Sequence, residues 1–487
     1  MHDAFVYIPY ALLFLESALK SAHHQVKVVD FQLGRPAEKT FKDALEEHPD
    51  VLGISVFCGP SIELAKKAAA VCRRISPKTV IVWGGMVPSM YPEWILADPN
   101  CDYVVRFEGE ETFVRLVEAL GKGDRHPPIP NVGWKDGDAI TLQPRAPLLD
   151  LGDTKPIDFK SVAREEYVIK LRLFDCNRAA TFFSSRGCPY ACTFCYNQYY
   201  HDGKWRSFPT EWIVETIGKL VDTYRIDGLY FFDDNFFVSK SRVKEIMEGL
   251  KGKGIRLTWW AEIRIDQIAK LSVEELNEFY GYGLRQLYIG AESGSDERLE
   301  RLKKGFAIEV TRKANDLLAK TKIEAMYSFM IGFPGETTAE TMKTLDFAME
   351  LIDSNPMASI HHINNFVPFP KTPIYEEAMA TRGAFLPASD APPVGGLDDP
   401  EQFVFSDTSN RTRQYISYAS WFLRNDEFLR NKPFLYRIIF RTFRAAFTFR
   451  MRRHIFVPFI DTLLMTMLYN MHRAFVRGKS RWSIQLD

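Results

Sequence analysis

The sequence lacks net charge: 62 Lys and Arg balance 62 Asp and Glu over 487 residues. Such a chain has no polyelectrolyte field of its own, which argues against nucleic acid as a partner. It lacks any run of ~18 uninterrupted apolar residues, so no membrane-spanning helix is expected. No basic stretch leads into an apolar one at its start, so no signal peptide is expected. It also lacks the even cysteine count of a disulfide framework, having seven. That usage suits a reducing cytoplasm, where oxygen-sensitive groups survive. What remains is ordinary globular composition, 46% hydrophobic and 25% charged, long enough for about three domains.

Three of the seven thiols stand together. Within Ser184 to Asn197, Cys188, Cys192 and Cys195 follow the spacing C-x₃-C-x₂-C, just after the short apolar run Ala180 to Phe183. Thiolates this close in sequence can converge on one small object, and they are the preferred ligands of iron–sulfur clusters. Three sulfurs on a four-iron cube leave one iron open to a small molecule, as a catalytic metal keeps one position free. Two plainer readings stay open: half a zinc site with His201 as the nearby fourth ligand, or buried core thiols. Cys58, Cys72, Cys101 and Cys176 are scattered through apolar or strand-like sequence and read as core residues.

The spacing, with the aromatic Phe194 just before the last cysteine, resembles the radical S-adenosylmethionine (SAM) superfamily, and the likeness extends over about residues 180 to 385. There the pattern predicts six strand–helix units. The strands are Ala180–Phe183, Gly228–Phe232, Leu257–Ile263, Gln286–Ala291, Ala325–Ile331 and Ser359–Asn365. Such a series makes a partial, TIM-like (β/α)6 barrel with its site at the carboxyl ends of the strands. Polar groups recur at those ends: Asp233 and Asp234, Arg264, Glu292, and Gly332-Phe333-Pro334-Gly335. Singly each reads as a helix cap or a turn. Together, at successive strand ends, they read as a site. The resemblance implies that Cys188, Cys192 and Cys195 hold a [4Fe–4S] cluster. It further implies that Phe194, Asp233, Asp234, Arg264, Glu292, Gly332 and Pro334 bind SAM. His361 and His362 read as surface or packed side chains, with an acid/base role in a substrate cavity as the alternative.

Upstream, strands alternate with helices. Val26–Phe31, Val51–Val56, Val80–Trp83 and Tyr103–Val105 read as strands of a doubly wound parallel sheet. Ser55, Gly84-Gly85 and Glu108-Gly109 fall at their carboxyl ends, where such sheets bind ligands. The stretches P-D-V-L-G-I-S-V, W-G-G and F-E-G-E-E-T resemble the cobalamin-binding domain that precedes many radical SAM cores. That likeness implies a cobalamin site at Ser55, Gly84, Gly85, Glu108 and Gly109. Two departures accompany it. The opening strand is missing or reduced to Phe5–Ile8, so the domain is expected to begin incompletely. There is also no Asp-x-His-x-x-Gly, so a histidine ligand to cobalt is not expected.

The expected domains are 1–125 (cobalamin-binding-like), 126–172 (a proline-rich linker), 173–385 (the barrel) and 386–487 (a loop and a helical tail). Residues 384–410 read as a loop or lid. From Arg411 to Arg481 stand 15 Lys or Arg against 3 Asp or Glu. Arg437, Arg441 and Arg444 share a helical face among aromatics, and Ile460, Leu463, Leu464, Met467, Leu468 and Met471 form an apolar stripe. Such a stripe packs on a core or lies on an anionic membrane surface. The expected enzyme takes an electron from an external reductant, splits SAM and transfers a methyl group through cobalamin to a small, hydrophobic substrate. Cyclisation, rearrangement or oxidation without methyl transfer is the first alternative. A non-catalytic iron–sulfur or zinc protein is the second. The expected location is cytoplasmic, peripheral to the membrane if the tail binds lipid.

Overall fold

The computed structural model describes residues 6–57, 59–170, 176–382, 405–424, 429 and 434–456. The chain forms two compact units that divide between Tyr167 and Val168.

The first unit is built on a five-stranded sheet in the order β1 (Val51–Val56), β2 (Val80–Gly85), β3 (Tyr103–Val105), β4 (Val132–Asp136) and β5 (Ala139–Leu142). Strands β1 to β3 are parallel, and β4 and β5 are an antiparallel hairpin added at the β3 edge. The hairpin lies in the stretch read as a linker. Its turn is supplied by Gly137 at φ 58°, a conformation glycine adopts without strain. Helices Pro60–Ile75 and Glu110–Gly121 carry apolar stripes onto the sheet. Trp83, Val104, Ile81 and Cys72 sit fully buried in that core.

One expected strand is absent. Residues 24–30 pair with no strand, and Phe31–Leu33 is a 3₁₀ turn. Side chains take the place of the ladder: Asp30 accepts from the Gln32 amide (3.0 Å), and Gln32 bonds the Tyr7 backbone through both its oxygen and its nitrogen (3.3 and 3.2 Å). An Asp that caps its own turn competes with strand pairing. β1 is consequently an edge strand among the described residues.

The second unit holds a six-stranded parallel sheet in the order β13-β12-β11-β10-β9-β6. Its strands are β6 (Ala179–Phe182), β9 (Gly228–Phe231), β10 (Thr258–Ile263), β11 (Leu284–Glu292), β12 (Glu324–Ile331) and β13 (Ala358–Asn365). A two-residue ribbon, β7 (Ser185–Arg186) with β8 (Arg206–Ser207), closes the loop between β6 and β9. All six expected strands are present, their ends moved by two residues at most. Four of the helices between these strands are chemically marked at their starts. Ser272 and Thr337 form capping boxes with Glu275 and Glu340, while Ser239 and Ser295 cap through their hydroxyls. Neighbours in sequence are neighbours in the sheet, as right-handed crossovers produce.

The edge strand β13 is covered. Ile360 donates to the Leu423 carbonyl (2.9 Å) and Ile363 to the Ser420 hydroxyl (3.1 Å). The helix Phe434–Arg452 buries Phe440, Phe447 and Met451, with the Phe422 ring packed at a tilt against the first two. Its other side exposes Phe434, Ile438, Ile439 and Phe449. The apolar stripe Ile460 to Met471, most of the expected loop 384–410, and Cys58 lie outside the described residues. Cys72, Cys101 and Cys176 are buried, as expected.

Candidate functional site

The three clustered cysteines sit on the loop that follows β7. Gly187 starts it at φ 81°; a Cβ there would collide with the Lys204 carbonyl, so the turn requires glycine. The Gly187 amide donates to Asp234 (3.1 Å), which also accepts from the Tyr196 hydroxyl (2.8 Å). Both ends of the cysteine loop are thus tied to the carboxyl end of β9. Further along, Thr193 donates to the Leu302 carbonyl, and Ile374 donates to that of Thr193.

Cys188 and Cys195 each lie within electrostatic reach of Cys192. Burial raises the Cys188 thiol and pushes Cys195 up to about 12. Two sulfurs accept hydrogen bonds: Cys192 from Arg264 Nη1 (3.5 Å) and Cys195 from Asn197 Nδ2 (3.6 Å). Among the described residues no three His, Cys, Asp or Glu groups converge on a point where one ion would sit. Three thiols on one loop, with N–H groups directed at two of them, are the donor set an iron–sulfur cluster takes. The residues therefore fit that group.

The adjacent carboxylates differ sharply in their surroundings. Asp233 is 1% exposed. It accepts from the Ser184 amide (3.1 Å) and from the hydroxyls of Ser184 (2.7 Å) and Ser185, with Arg242 close by. Burial nevertheless raises its carboxyl above the ordinary range. Asp234 is exposed at the mouth. Arg264 is committed at each nitrogen: to Asp266 (2.9 Å), to Cys192 and to the Lys304 carbonyl. Glu292 stands at φ 65° beside a break in register of β11. A non-glycine residue there is strained, a condition that collects at functional sites. Gly290 makes room for it, since a Cβ would strike Glu292 Oε1. The buried Lys304 ammonium holds that oxygen at 3.1 Å.

Gly332 to Gly335 forms the last corner. Glu336 folds back to accept from the Gly332 and Phe333 amides, and its carboxyl is pushed up to about 7 by burial. Arg298 donates to the Pro334 carbonyl (3.2 Å). Phe194 packs against the cluster of Leu302, Phe333 and Phe366, which brings it beside this corner.

Inside the barrel lies a group that sequence reading passed over. Glu262 of β10 accepts from the Tyr230 hydroxyl (3.0 Å), and its carboxyl is pushed up to about 7 by burial, reinforced by Asp234, Glu292 and Asp233. Glu262 thus lies within electrostatic reach of the three acids at the strand ends. Tyr230 continues into a chain of rings: Trp260 (5.8 Å), Tyr288 (5.3 Å), then His361 on Tyr288 (5.3 Å). Phe232, Glu262, Tyr288, Gly290, Ser328, Met330 and His361 are only half buried, whereas Leu229, Ala261, Leu287 and Tyr327 are fully buried. The contrast marks a hollow interior. A lone acid in the apolar strand T-W-W-A-E-I was a readable signal for Glu262. Lys304, twelve residues beyond Glu292, had none.

In the first unit, Ser55 pairs with Gly84, and Gly84 with Val105. The ends of β1, β2 and β3 are therefore level, bringing Ser55, Gly84, Gly85, Glu108 and Gly109 to one rim. Gly85 (φ 99°) packs on the Val56 backbone, where a Cβ would meet the carbonyl oxygen at 2.6 Å. Glu108 accepts from the Leu149 amide (2.9 Å). Ser55 is exposed and Phe57, just past β1, is 61% exposed, an open rim with an apolar surface. It suits a large, flat, partly apolar ligand such as a corrin.

Residues 3–117 match the family described as B12 binding domain, and residues 182–348 match the radical SAM superfamily. The chain carries a radical SAM domain. As a radical SAM enzyme with a B12-binding domain, it works with a [4Fe–4S] cluster, SAM and cobalamin. It is 29% identical to an uncharacterized methyltransferase, PH0819, of Pyrococcus horikoshii, over 76% of this chain and 78% of that protein. It is 25% identical to the anaerobic magnesium-protoporphyrin IX monomethyl ester cyclase of Cereibacter sphaeroides, over 70% of this chain and 55% of the cyclase. Its fold matches that of OxsB, a cobalamin-dependent SAM radical enzyme solved with aqua-cobalamin and SAM bound. The TM-score is 0.73 at 18% identity, covering 96% of this chain and 73% of OxsB.

Proposed function

We propose that this radical SAM enzyme transfers a methyl group to an unactivated carbon of a small-molecule substrate. The observation that carries the reading is the union, in one chain, of the three-cysteine barrel with a B12-binding domain; the likeness to a named methyltransferase supports it. When bound, the cluster and SAM supply a 5′-deoxyadenosyl radical that abstracts hydrogen, and the corrinoid supplies the methyl group.

The chain's own residues bind and position. Cys188, Cys192 and Cys195 are the cluster ligands. Phe194, Asp234, Glu292, Gly332 and Pro334 line the SAM site, Asp234 offering its exposed carboxylate to the cationic end of SAM. Asp233 and Arg264, read from sequence as direct contacts, support the site from behind in this reading, because both are buried and held by protein partners, whereas Asp234 is exposed. Ser55, Gly84, Gly85, Glu108 and Gly109 border the cobalamin. In this reading residues 1–125 bind cobalamin, the stretch 126–172 adds the β4–β5 hairpin to their sheet, 173–385 form the catalytic barrel, and 386–487 keep their reading as a loop and basic helical tail. Anaerobic reconstitution with SAM carrying a deuterated methyl group tests the proposal. Label arriving in the corrinoid and then in product supports methyl transfer. Cleavage of SAM with no label transfer favours the cyclase-like reading, which the second relative keeps in play.

The substrate is hydrophobic in this reading, in keeping with the ring-lined interior, and the enzyme works at a membrane surface. Among the described residues no helix is long and apolar enough to cross a membrane. The helix Phe434–Arg452, however, exposes Phe434, Ile438 and Phe449 with Arg441 and Arg452 alongside, the pattern of a helix lying on anionic lipid.

A further inference from the structure

Arg264 is the most tightly held cation near the cysteine loop, and the sequence gives no reason for its exact setting. It stands where β10 ends and the short helix Ile265–Ile268 begins. One face of its guanidinium lies 3.6 Å from the centre of the Tyr190 ring, and Phe306 lies at 5.4 Å. Nε donates to Asp266 Oδ1 (2.9 Å), Nη2 to the Lys304 carbonyl, and Nη1 to Cys192 Sγ (3.5 Å). Asp266 also accepts from the Tyr190 hydroxyl (3.3 Å). The same carboxylate therefore fixes both the guanidinium and the ring it stacks on. Tyr190 itself lies in the cysteine loop, midway between Cys188 and Cys192.

Each bond constrains the next. A planar fork held at three nitrogens and stacked on a ring cannot swing to follow a ligand. Its side chain is 9% exposed, so its charge is poorly screened by solvent. Of its partners only Asp266 is charged, and that carboxylate sits at Nε, away from the sulfur. The Nη1 edge of the guanidinium is the one turned to the Cys192 sulfur.

We infer that Arg264 is a positioning residue for the iron–sulfur cluster. By donating to the Cys192 sulfur beside a fixed positive charge, it raises the cluster's reduction potential and eases its one-electron reduction. The inference rests on the reading of the three cysteines as cluster ligands. The physics is general: hydrogen bonds to ligating sulfurs and nearby positive charge both favour the reduced, more negative cluster.

The test uses the full chain, reconstituted anaerobically with iron and sulfide, as wild type, Arg264→Gln and Arg264→Lys. Iron content, a redox titration followed by electron paramagnetic resonance, and SAM binding by calorimetry are measured on each. Wild type without a cluster would defeat the functional reading itself, a separate failure. With the cluster in place, Arg264→Gln is expected to keep its iron but lower the reduced-to-oxidised ratio at fixed potential about tenfold, a shift of about 59 mV. Arg264→Lys, which keeps the charge and loses the fork, should fall between. An unchanged potential in Arg264→Gln overturns the inference, and so does a change confined to SAM affinity. If Arg264→Gln fails to hold iron, wild-type enzyme with ¹⁵N-labelled arginine decides. Pulsed resonance of the reduced cluster should then detect an arginine nitrogen coupled to it, and no coupling overturns the inference.

Discussion

Tyr230 donates its hydroxyl to Glu262 Oε1 at 3.0 Å, joining β9 to β10 on the inside of the barrel. The carboxyl it meets is pushed up to about 7, from an ordinary value near 4.5, mainly because burial disfavours its charged form. A folded-state value above the unfolded one adds stability at low pH. That contribution is lost as pH rises through the interval from about 4.5 to about 7, because the unfolded chain has already released the proton. Glu262→Gln, neutral at every pH, should therefore unfold at a higher temperature than wild type at pH 8 and at a similar one near pH 5. Differential scanning calorimetry at both pH values measures this. The full difference is on the order of 3 kcal/mol. Glu336 carries the same sign and remains in both proteins, so it cancels from the comparison. An equal offset at the two pH values would refute the assignment.

Asp233 and Asp234 are adjacent in sequence and opposite in consequence. Asp233→Ala leaves the Ser184 and Ser185 donors and the buried Arg242 without their carboxylate. Removing one member of a buried charged set costs about 3 to 5 kcal/mol, so little soluble, folded protein is expected. Asp234→Asn, which keeps one acceptor oxygen where the Gly187 amide and the Tyr196 hydroxyl use two, should cost only about 1 kcal/mol, yet bind SAM roughly tenfold more weakly. Urea denaturation and calorimetric titration with SAM separate the two. Reversed outcomes would mean that the inner carboxylate is the ligand.

Cys192→Ala should reduce bound iron well below the roughly four atoms per chain of an intact cluster and abolish reductive SAM cleavage. Iron assay and chromatography for 5′-deoxyadenosine read both. Cys176→Ala supplies the control. That thiol is buried and bonded to Asp227 (3.2 Å), so the change should alter stability by about 1 to 2 kcal/mol and leave iron content intact.

The exposed side of Phe434–Arg452 gives a prediction independent of the chemistry. Wild-type protein should sediment with vesicles of phosphatidylcholine containing about one-third phosphatidylglycerol and far less with pure phosphatidylcholine. Replacing Phe434, Ile438 and Phe449 by Ser should reduce the bound fraction several-fold with little change in stability, since all three are exposed. Equal sedimentation of the triple variant would argue that this face does not meet lipid. A fall in apparent mass on replacement would assign the face to a second copy of the chain.

Much of this was legible in the primary structure because the relevant signals are local. The cysteine spacing and the strand–helix period of the barrel each lie within a short stretch of chain. Short-range geometry is what sequence patterns encode. The expected strand at Val26–Phe31 failed for the same kind of reason in reverse. Its apolar alternation was real, but Asp30 and Gln32 turned the chain on itself and took up the hydrogen bonds a ladder would use.

The order of residues by itself determined the class of chemistry, the thiols that serve it and the succession of parallel strands. Only the tertiary structure decided the division of labour among the polar groups. It buried Asp233 and left Asp234 at the mouth. It aimed Arg264 at a sulfur, set Lys304 on Glu292, and drew Glu262 into the barrel. Those outcomes depend on which distant segment fills the space beside each charge, and so on solvent exclusion. A residue's neighbours along the chain do not fix that.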